Sequence, residues 1–322
     1  MSEAVLPAVA AAPRRPERMP LGVMLAMGWI GTILATALLA DLIAPYPYTA
    51  LDLRNRLTGP VGMGGVWGHP LGTDELGRDV LSRLIMSIRM SLLIAFGATV
   101  IGAAFGTMMG FLAAHFRGFV EQIVLALVDF SASLPFLILA LAVLAFFGNS
   151  LPLFITLLGF HAWERYARIA RGLAISAGTQ GYAAAVRQLG ASPWRVYGRH
   201  VLPNIASTLI VSMTLAFPEV ILLESGLSFL GLGVQPPSTS LGNMVGYGRE
   251  YLTRAPWILL APAVTIVLTT LAVSLCRHDW ILLLDDDECL NVDAVRFIQA
   301  ELRAPRARVY AFPLRHYTPL TR

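Results

Sequence analysis

The chain is 322 residues long, 56% hydrophobic and 14% charged, with a formal net charge of +4. That balance excludes an ordinary soluble domain and places the chain among polytopic, all-α membrane proteins. All its Lys-or-Arg positions are arginine, so a phosphate-binding loop ending in Gly-Lys-Ser/Thr is excluded as well. No basic stripe interleaved with stacking aromatics points to nucleic acid, and Cys276 and Cys289 lack metal-ligand spacing and imply no disulfide framework.

In chain order, residues 1–20 are rich in Ala and Pro, carry Arg14, Arg15 and Arg18, and are expected to be a disordered N-terminus. Leu21 to Ala44 is an apolar run that would span roughly 36 Å as a helix. It is too long for the apolar core of a signal peptide and reads as an uncleaved first span. Pro45 to about Arg83 is a polar connection rich in Gly and Pro, containing GHPLGTDELGRDVLSRL at residues 68–84. There Thr73 reads as the N-cap of an amphipathic helix with Asp74 and Glu75 in its first turn.

The second span is expected from about Met90 to Ala114. Its Gly102, Gly106 and Gly110 recur every fourth residue, which lets another helix backbone approach closely where lipid supplies no hydrophobic drive. Arg117 and Gly118 make a tight turn. A third span, about Glu121 to Phe147, is interrupted by Asp129 and Pro135, and a fourth, about Leu151 to Trp163, ends in the charged patch Glu164, Arg165, Arg168 and Arg171.

A polar island follows, Tyr182 to Asn204. Tyr182, Val186 and Leu189 form the apolar stripe of a short helix, which Gly190 stops with a left-handed turn. Ser192 and Pro193 read as the N-cap and first position of a second helix that runs to about His200 before Pro203. Its stripe is Trp194, Tyr197 and Val201, with Arg195 and Arg199 off the apolar face. Such a helix–turn–helix is too small to fold alone and is shaped to be gripped by something else. A fifth span, about Ile205 to Leu230, contains Pro218, and a sixth covers about Trp257 to Leu275. Asp129, Glu219 and Glu224 are acids placed within apolar spans, where insertion costs about 2.5–3.5 kcal/mol, so they are expected to face a protein interior or a water-filled path. His69 and His161 stand alone and read as packed or loop residues.

The island resembles the cytoplasmic coupling loop of ABC-importer permeases, whose pattern is Glu-Ala-Ala, a spacer, Gly, a second spacer and Ile-x-Leu-Pro. Ala184, Ala185 and Val186 take the first three places, Gly190 the glycine, and His200, Leu202 and Pro203 the end. The acid is replaced by Ala184 and the second alanine by Val186, while the spacing holds. Residues 68–84 are similar to the HPLGTDxxGRD signature of the C-type subunit in dipeptide, oligopeptide and nickel importers, for which a structural role at the outer surface is expected. LSFLGLGVQPPSTSLGNM (227–244) and YLTRAPW (251–257) resemble outer loops of the same family.

The resemblance implies a transmembrane domain over residues 21–275. It makes the chain a permease subunit of an ATP-driven importer of the inner membrane, carrying peptides or a related small solute such as glutathione or nickel. ATPase coupling falls on Tyr182, Ala184, Ala185, Val186, Arg187, Leu189, Gly190, His200, Leu202 and Pro203, and Glu219, Glu224 and Asp129 are candidates for the translocation path. The implied partners are a second permease subunit, two cytoplasmic ATPase subunits that hold ATP and Mg, and an extracytoplasmic solute-binding protein. No catalysis or cofactor is expected on this chain. From Glu164 to Arg199 there are six arginines and one acid, Glu164 itself, which puts the island and the N-terminus in the cytoplasm.

Residues 276–322 depart from that family. Trp280 to Leu284 reads as a buried strand running into Asp285, Asp286, Asp287 and Glu288. This resembles the acidic turn of family-2 (GT-A) glycosyltransferases, and implies Asp285 and Asp287 as metal ligands. The nucleotide-binding half is absent, so a fusion, frameshift or assembly junction near Leu275 is expected, with a membrane-tethered glycosyltransferase or a permease–transferase fusion as the alternative function.

Overall fold

A computed structural model describes residues 21–178 and 190–276. The acidic tail with Asp285 and Asp287, and Tyr182, Ala184, Ala185, Val186, Arg187 and Leu189 of the island, lie outside the described residues. Among those described there are helices and turns but no β-strand.

The first apolar run forms α1 (Leu21–Leu38), which gives way at Leu39 to a short α2 (Ala40–Ile43). The axial element is α3 (Val80–His115), whose 36 residues would extend about 54 Å, well beyond the hydrocarbon core of a bilayer. Ile94, Ala95 and Ala98 of α3 share one core with Phe154 and Leu158 and with Val220 and Ile221. Val80, Leu84 and Ile88 share another with Ile33, Met244 and Ile258. Large apolar side chains elsewhere face outwards, among them Ile138, Phe146, Val267 and Leu271, as a lipid-facing surface requires.

After the Gly118 turn (φ +82°) come α4 (Phe119–Ser133) and α5 (Phe136–Phe147), which meet at 90°. Pro135 causes the break. It holds Leu134 in extended backbone (ψ 131°) and has no N–H to continue the ladder. Next are α6 (Leu151–His161) and α7 (Trp163–Gly178).

The second helix of the island does not stop before Pro203. It runs on as α8 (Pro193–Phe229), passing through Pro218 as well. Residues Val196–Val201 form a π turn, in which the Leu202 N–H bonds the carbonyl of Tyr197. That wider turn relaxes the helix where the Pro203 ring would otherwise collide with the preceding turn. A short α9 (Leu241–Gly248) and the last span α10 (Trp257–Leu275) complete the bundle.

Among the described residues four helices, α1, α3, α8 and α10, are long and apolar enough to cross a membrane, and α4–α5 adds a fifth if the bent pair is one span. The expected six become four or five on this count, because α6 has only 11 residues and would rise about 16 Å.

The glycine ladder packs as its spacing implies. A Cβ on Gly102 would stand 2.6 Å from the carbonyl oxygen of Gly159, one on Gly106 would strike the carbonyl oxygen of Trp163, and one on Gly110 would come 2.9 Å from Cβ of Ala170. Backbone therefore lies on backbone where α3 packs on α6 and α7. Gly106→Val should destabilise the detergent-solubilised protein by about 1–3 kcal/mol or more through overpacking. Gly172→Val, at a site with nothing within 4 Å of its Cβ, should change the thermal midpoint little. Equal midpoints for the two variants would show that the seam does not carry stability.

Candidate functional site

The described part of the island starts at Gly190, whose φ of +76° is the left-handed turn expected there. Ser192 is extended (ψ 150°) and Pro193 takes the first helical position, although the Ser192 hydroxyl makes no cap bond. Its carbonyl accepts from the Val196 N–H at 3.1 Å instead. Val196, Tyr197 and Val201 are buried in one cluster with Ala114 of α3, Ala174 of α7 and Ile205 of α8. Phe111 lies 5.1 Å ring to ring from Tyr197.

Trp194 does not join that face. Its side chain is 86% exposed, because the buried stripe starts at Val196. Arg195 and Arg199 are exposed, as are Leu202 and Pro203, while His200 is half-buried. The described part of the island is thus clamped to α3 and α7 through one apolar face and leaves its basic face open.

The three intramembrane acids have three different settings. Glu219 of α8 is about two-fifths exposed and bonds Arg165 at 3.0 Å and His161 at 3.4 Å. Asp129 of α4 is largely exposed and takes Arg168 at 2.9 Å. Glu121 takes Arg171 at 2.6 Å. Arg165, Arg168 and Arg171 thus form a ladder along α7, pairing with α8 once and α4 twice. Their partners were not legible, since each lies dozens of residues away in sequence.

Glu224 is fully buried and touches no open space. It accepts hydroxyl hydrogens from Ser228 at 2.7 Å and Ser91 at 3.0 Å. Ser91 in turn accepts from the Leu241 N–H at 3.1 Å. This acid ties α3 and α8 to the start of α9, so its surroundings are those of a packing hub.

At the opposite end of α3, residues 68–84 fold differently from expectation. The helix begins at Val80 with Asp79 as its cap, accepting from the Ser82 N–H at 2.7 Å. Thr73 is not a cap: its backbone pairs with Thr58 and its carbonyl accepts from the Trp257 indole at 3.1 Å. Helix cannot start earlier, because Asp74 uses its carboxylate to close its own turn. It accepts from the Leu76 and Arg78 N–H groups at 2.9 Å. Gly77 then sits at φ +74°, where a Cβ would run into the Asp52 carbonyl.

The other carboxylate oxygen of Asp74 receives Arg78 at 2.7 Å and also Arg83, the latter only 6% exposed. His69 bonds the second oxygen of Asp79 at 3.0 Å. The stretch is a self-satisfied electrostatic knot that fixes the connection between α2 and α3 to α3 and α10. Among the described residues no group of three His, Cys, Asp or Glu could hold a metal.

A bundle of long apolar helices in which a helix with an exposed basic face runs directly into a span is the frame of a membrane-embedded subunit. Comparison with known proteins gives the family. The chain belongs to the inner membrane components of binding-protein-dependent transport systems, whose pattern matches residues 102–284, so it is a permease of the ABC-importer type. The match continues a little past Leu275.

The chain is 38% identical over 244 residues to the di/tripeptide transport system permease protein of Pseudomonas aeruginosa, covering 76% of this chain and 80% of that one. It is 32% identical over 246 residues to the glutathione transport system permease protein of Pectobacterium atrosepticum, with 76% and 79% covered. With the oligopeptide transport system permease protein of Mycobacterium bovis the identity is 34% over 235 residues, with 72% and 79% covered. Among solved structures, the methionine ABC transporter MetNI in an inward-facing form aligns at 18% identity and a TM-score of 0.49, over 68% of this chain and 96% of that one.

The two kinds of ion pair in this site should behave differently on mutation. Asp74→Asn strands the buried Arg83 and should cost about 3 kcal/mol or more. Asp41→Asn removes the exposed pair to Arg89 and should cost under about 1 kcal/mol. Chemical unfolding of the two variants side by side tests the contrast, and similar losses would refute it.

Proposed function

We propose that this permease serves an ATP-driven importer of peptides or a related small solute. It works with a second permease subunit, two cytoplasmic ATPase subunits that bind ATP and Mg, and an extracytoplasmic solute-binding protein. The chain itself supplies a path and a lever rather than catalysis. The relatives' roles in di/tripeptide, oligopeptide and glutathione transport support the solute class, and the basic island supports a cytoplasmic placement for itself and the N-terminus.

The observation that carries the reading is the continuity of α8. Its 37 residues extend about 55 Å without a break, from the Gly190 turn through Glu219 to the hub at Glu224. A displacement of the island by an ATPase is therefore delivered along a stiff rod, while the cluster around Tyr197 drags α3 and α7 with it. Tyr182, Ala184, Ala185, Val186, Arg187, Leu189 and Gly190 form the gripped surface in this reading. Glu219 and Asp129, both accessible, are the acids suited to line a path.

Gly190→Leu places a side chain in left-handed backbone at a cost of roughly 1–2 kcal/mol. It should leave the protein inserted but reduce capture of the ATPase subunits by about fivefold or more. Undiminished recovery of ATPases on pull-down would overturn the coupling role. Arg195→Cys should react with an impermeant thiol reagent only after cells are opened, and labelling in intact cells would reverse the orientation. Glu219→Gln, in the assembled complex, should slow uptake several-fold, whereas wild-type uptake would remove Glu219 from the path.

A further inference from the structure

A groove of about 1070 Å³ runs between α3 and α8. Its floor and walls are hydrocarbon, with Val100, Met108 and Leu112 on one side and Leu202, Leu209 and Met213 on the other. Val100, Met108 and Leu112 are exposed. Along α3 it reaches from Val100 to Phe116, about 24 Å by helical rise. That matches one leaflet with its headgroup layer, roughly 20–22 Å.

One end of the groove is polar, and its charge has one sign. His115, Arg195 and Arg199 line that mouth, and among the described residues no acidic side chain lines the groove. The contrast with α7 is informative. Arg165, Arg168 and Arg171 each hold a carboxylate, while Arg195 and Arg199 make no ion pair among the described residues. Trp194 stands at the same mouth, 86% exposed, as an indole does at the boundary between hydrocarbon and headgroups. An apolar trough of leaflet length, closed at one end by guanidinium groups and a tryptophan, has the chemistry of an acidic amphiphile.

We propose that this groove holds an anionic phospholipid of the cytoplasmic leaflet, with its phosphodiester on Arg195 and Arg199 and its acyl chains along α3. The proposal rests on the cytoplasmic placement of the island. Basic pockets between spans on that side are suited to acidic headgroups, since each arginine near the surface adds attraction that zwitterionic lipids do not receive. The bound lipid would splint the first turns of α8, the part of the rod that an ATPase has to push.

The test uses the purified full-length protein in mixed micelles of dioleoylphosphatidylglycerol and dioleoylphosphatidylcholine, with retained lipid read by native mass spectrometry. Wild type should retain phosphatidylglycerol at least about tenfold over phosphatidylcholine, and inorganic phosphate should not displace it. Arg195→Ala/Arg199→Ala should erase the preference. Ala104→Phe fills the trough at an exposed position and should lower retention of both lipids.

A photo-crosslinking residue at Met108 should capture lipid. Equal retention of the two lipids by wild type, an unchanged preference in the double variant, or capture of a second polypeptide at Met108 would each overturn the proposal. ATPase pull-down from the same preparations is read separately. A protein that keeps its ATPases but shows no lipid preference defeats this inference alone, and outside labelling of Arg195→Cys defeats the reading beneath it.

Discussion

In hydrocarbon, two helices gain nothing from hiding apolar surface from each other, so what holds them is close backbone approach and internal hydrogen bonding. The seam of α3 against α6 and α7 meets the first requirement. Gly102, Gly106 and Gly110 remove every side chain that would keep the carbonyls of Gly159, Trp163 and Ala167 at a distance. Much of the rest follows from that contact. It fixes the azimuth of α7, which aims Arg165, Arg168 and Arg171 at α4 and α8, and it brings Ala174 beside Ala114 to make the socket for Tyr197.

The second requirement explains where the polar residues went. Glu224 and Asp74 are both shut away from solvent, and each is surrounded by donors: serine hydroxyls for the first, two backbone N–H groups and two guanidinium groups for the second. Both sit where chain segments from distant parts of the sequence converge. Removing the Asp74 carboxylate leaves the buried Arg83 guanidinium without its partner, which is why that knot is expected to tolerate substitution far less well than the exposed Asp41–Arg89 pair.

What could be read from residues alone were the features that depend on local chemistry. The bounds of α10, the purpose of the glycine ladder and the left-handed turn at Gly190 follow from apolar run length and from the absence of a Cβ. Features set by competition between local and distant partners could not be read. Thr73 has every local mark of an N-cap, yet Asp74 folds its carboxylate onto the following N–H groups and Gly77 turns the chain, delaying the helix to Val80. Trp194 falls on the stripe of a regular helix but loses its place because burial begins at Val196 and the turn widens immediately after. The partners of the α7 arginines, which depend wholly on tertiary packing, left no trace in spacing.

The prolines show how stiffness is distributed, and that distribution bears on how force would travel. Pro135 breaks its helix, since α4 and α5 have few neighbours at the bend to hold the chain straight, and the segment turns through 90°. Pro203 carries the same chemical defect but sits where Val201 and Ile205 are buried against α3 and α7, so the helix absorbs it by widening one turn. Pro218 lies between the buried Ala216 and Val220 and is carried through without interruption. Packing on either side, rather than the proline itself, decides whether the rod bends. The helix is therefore continuous from Pro193 past Glu224, and the sharp bend among the described helices is the one at Leu134 and Pro135. That bend lies on the α4–α5 side of the bundle, beside the accessible acid Asp129.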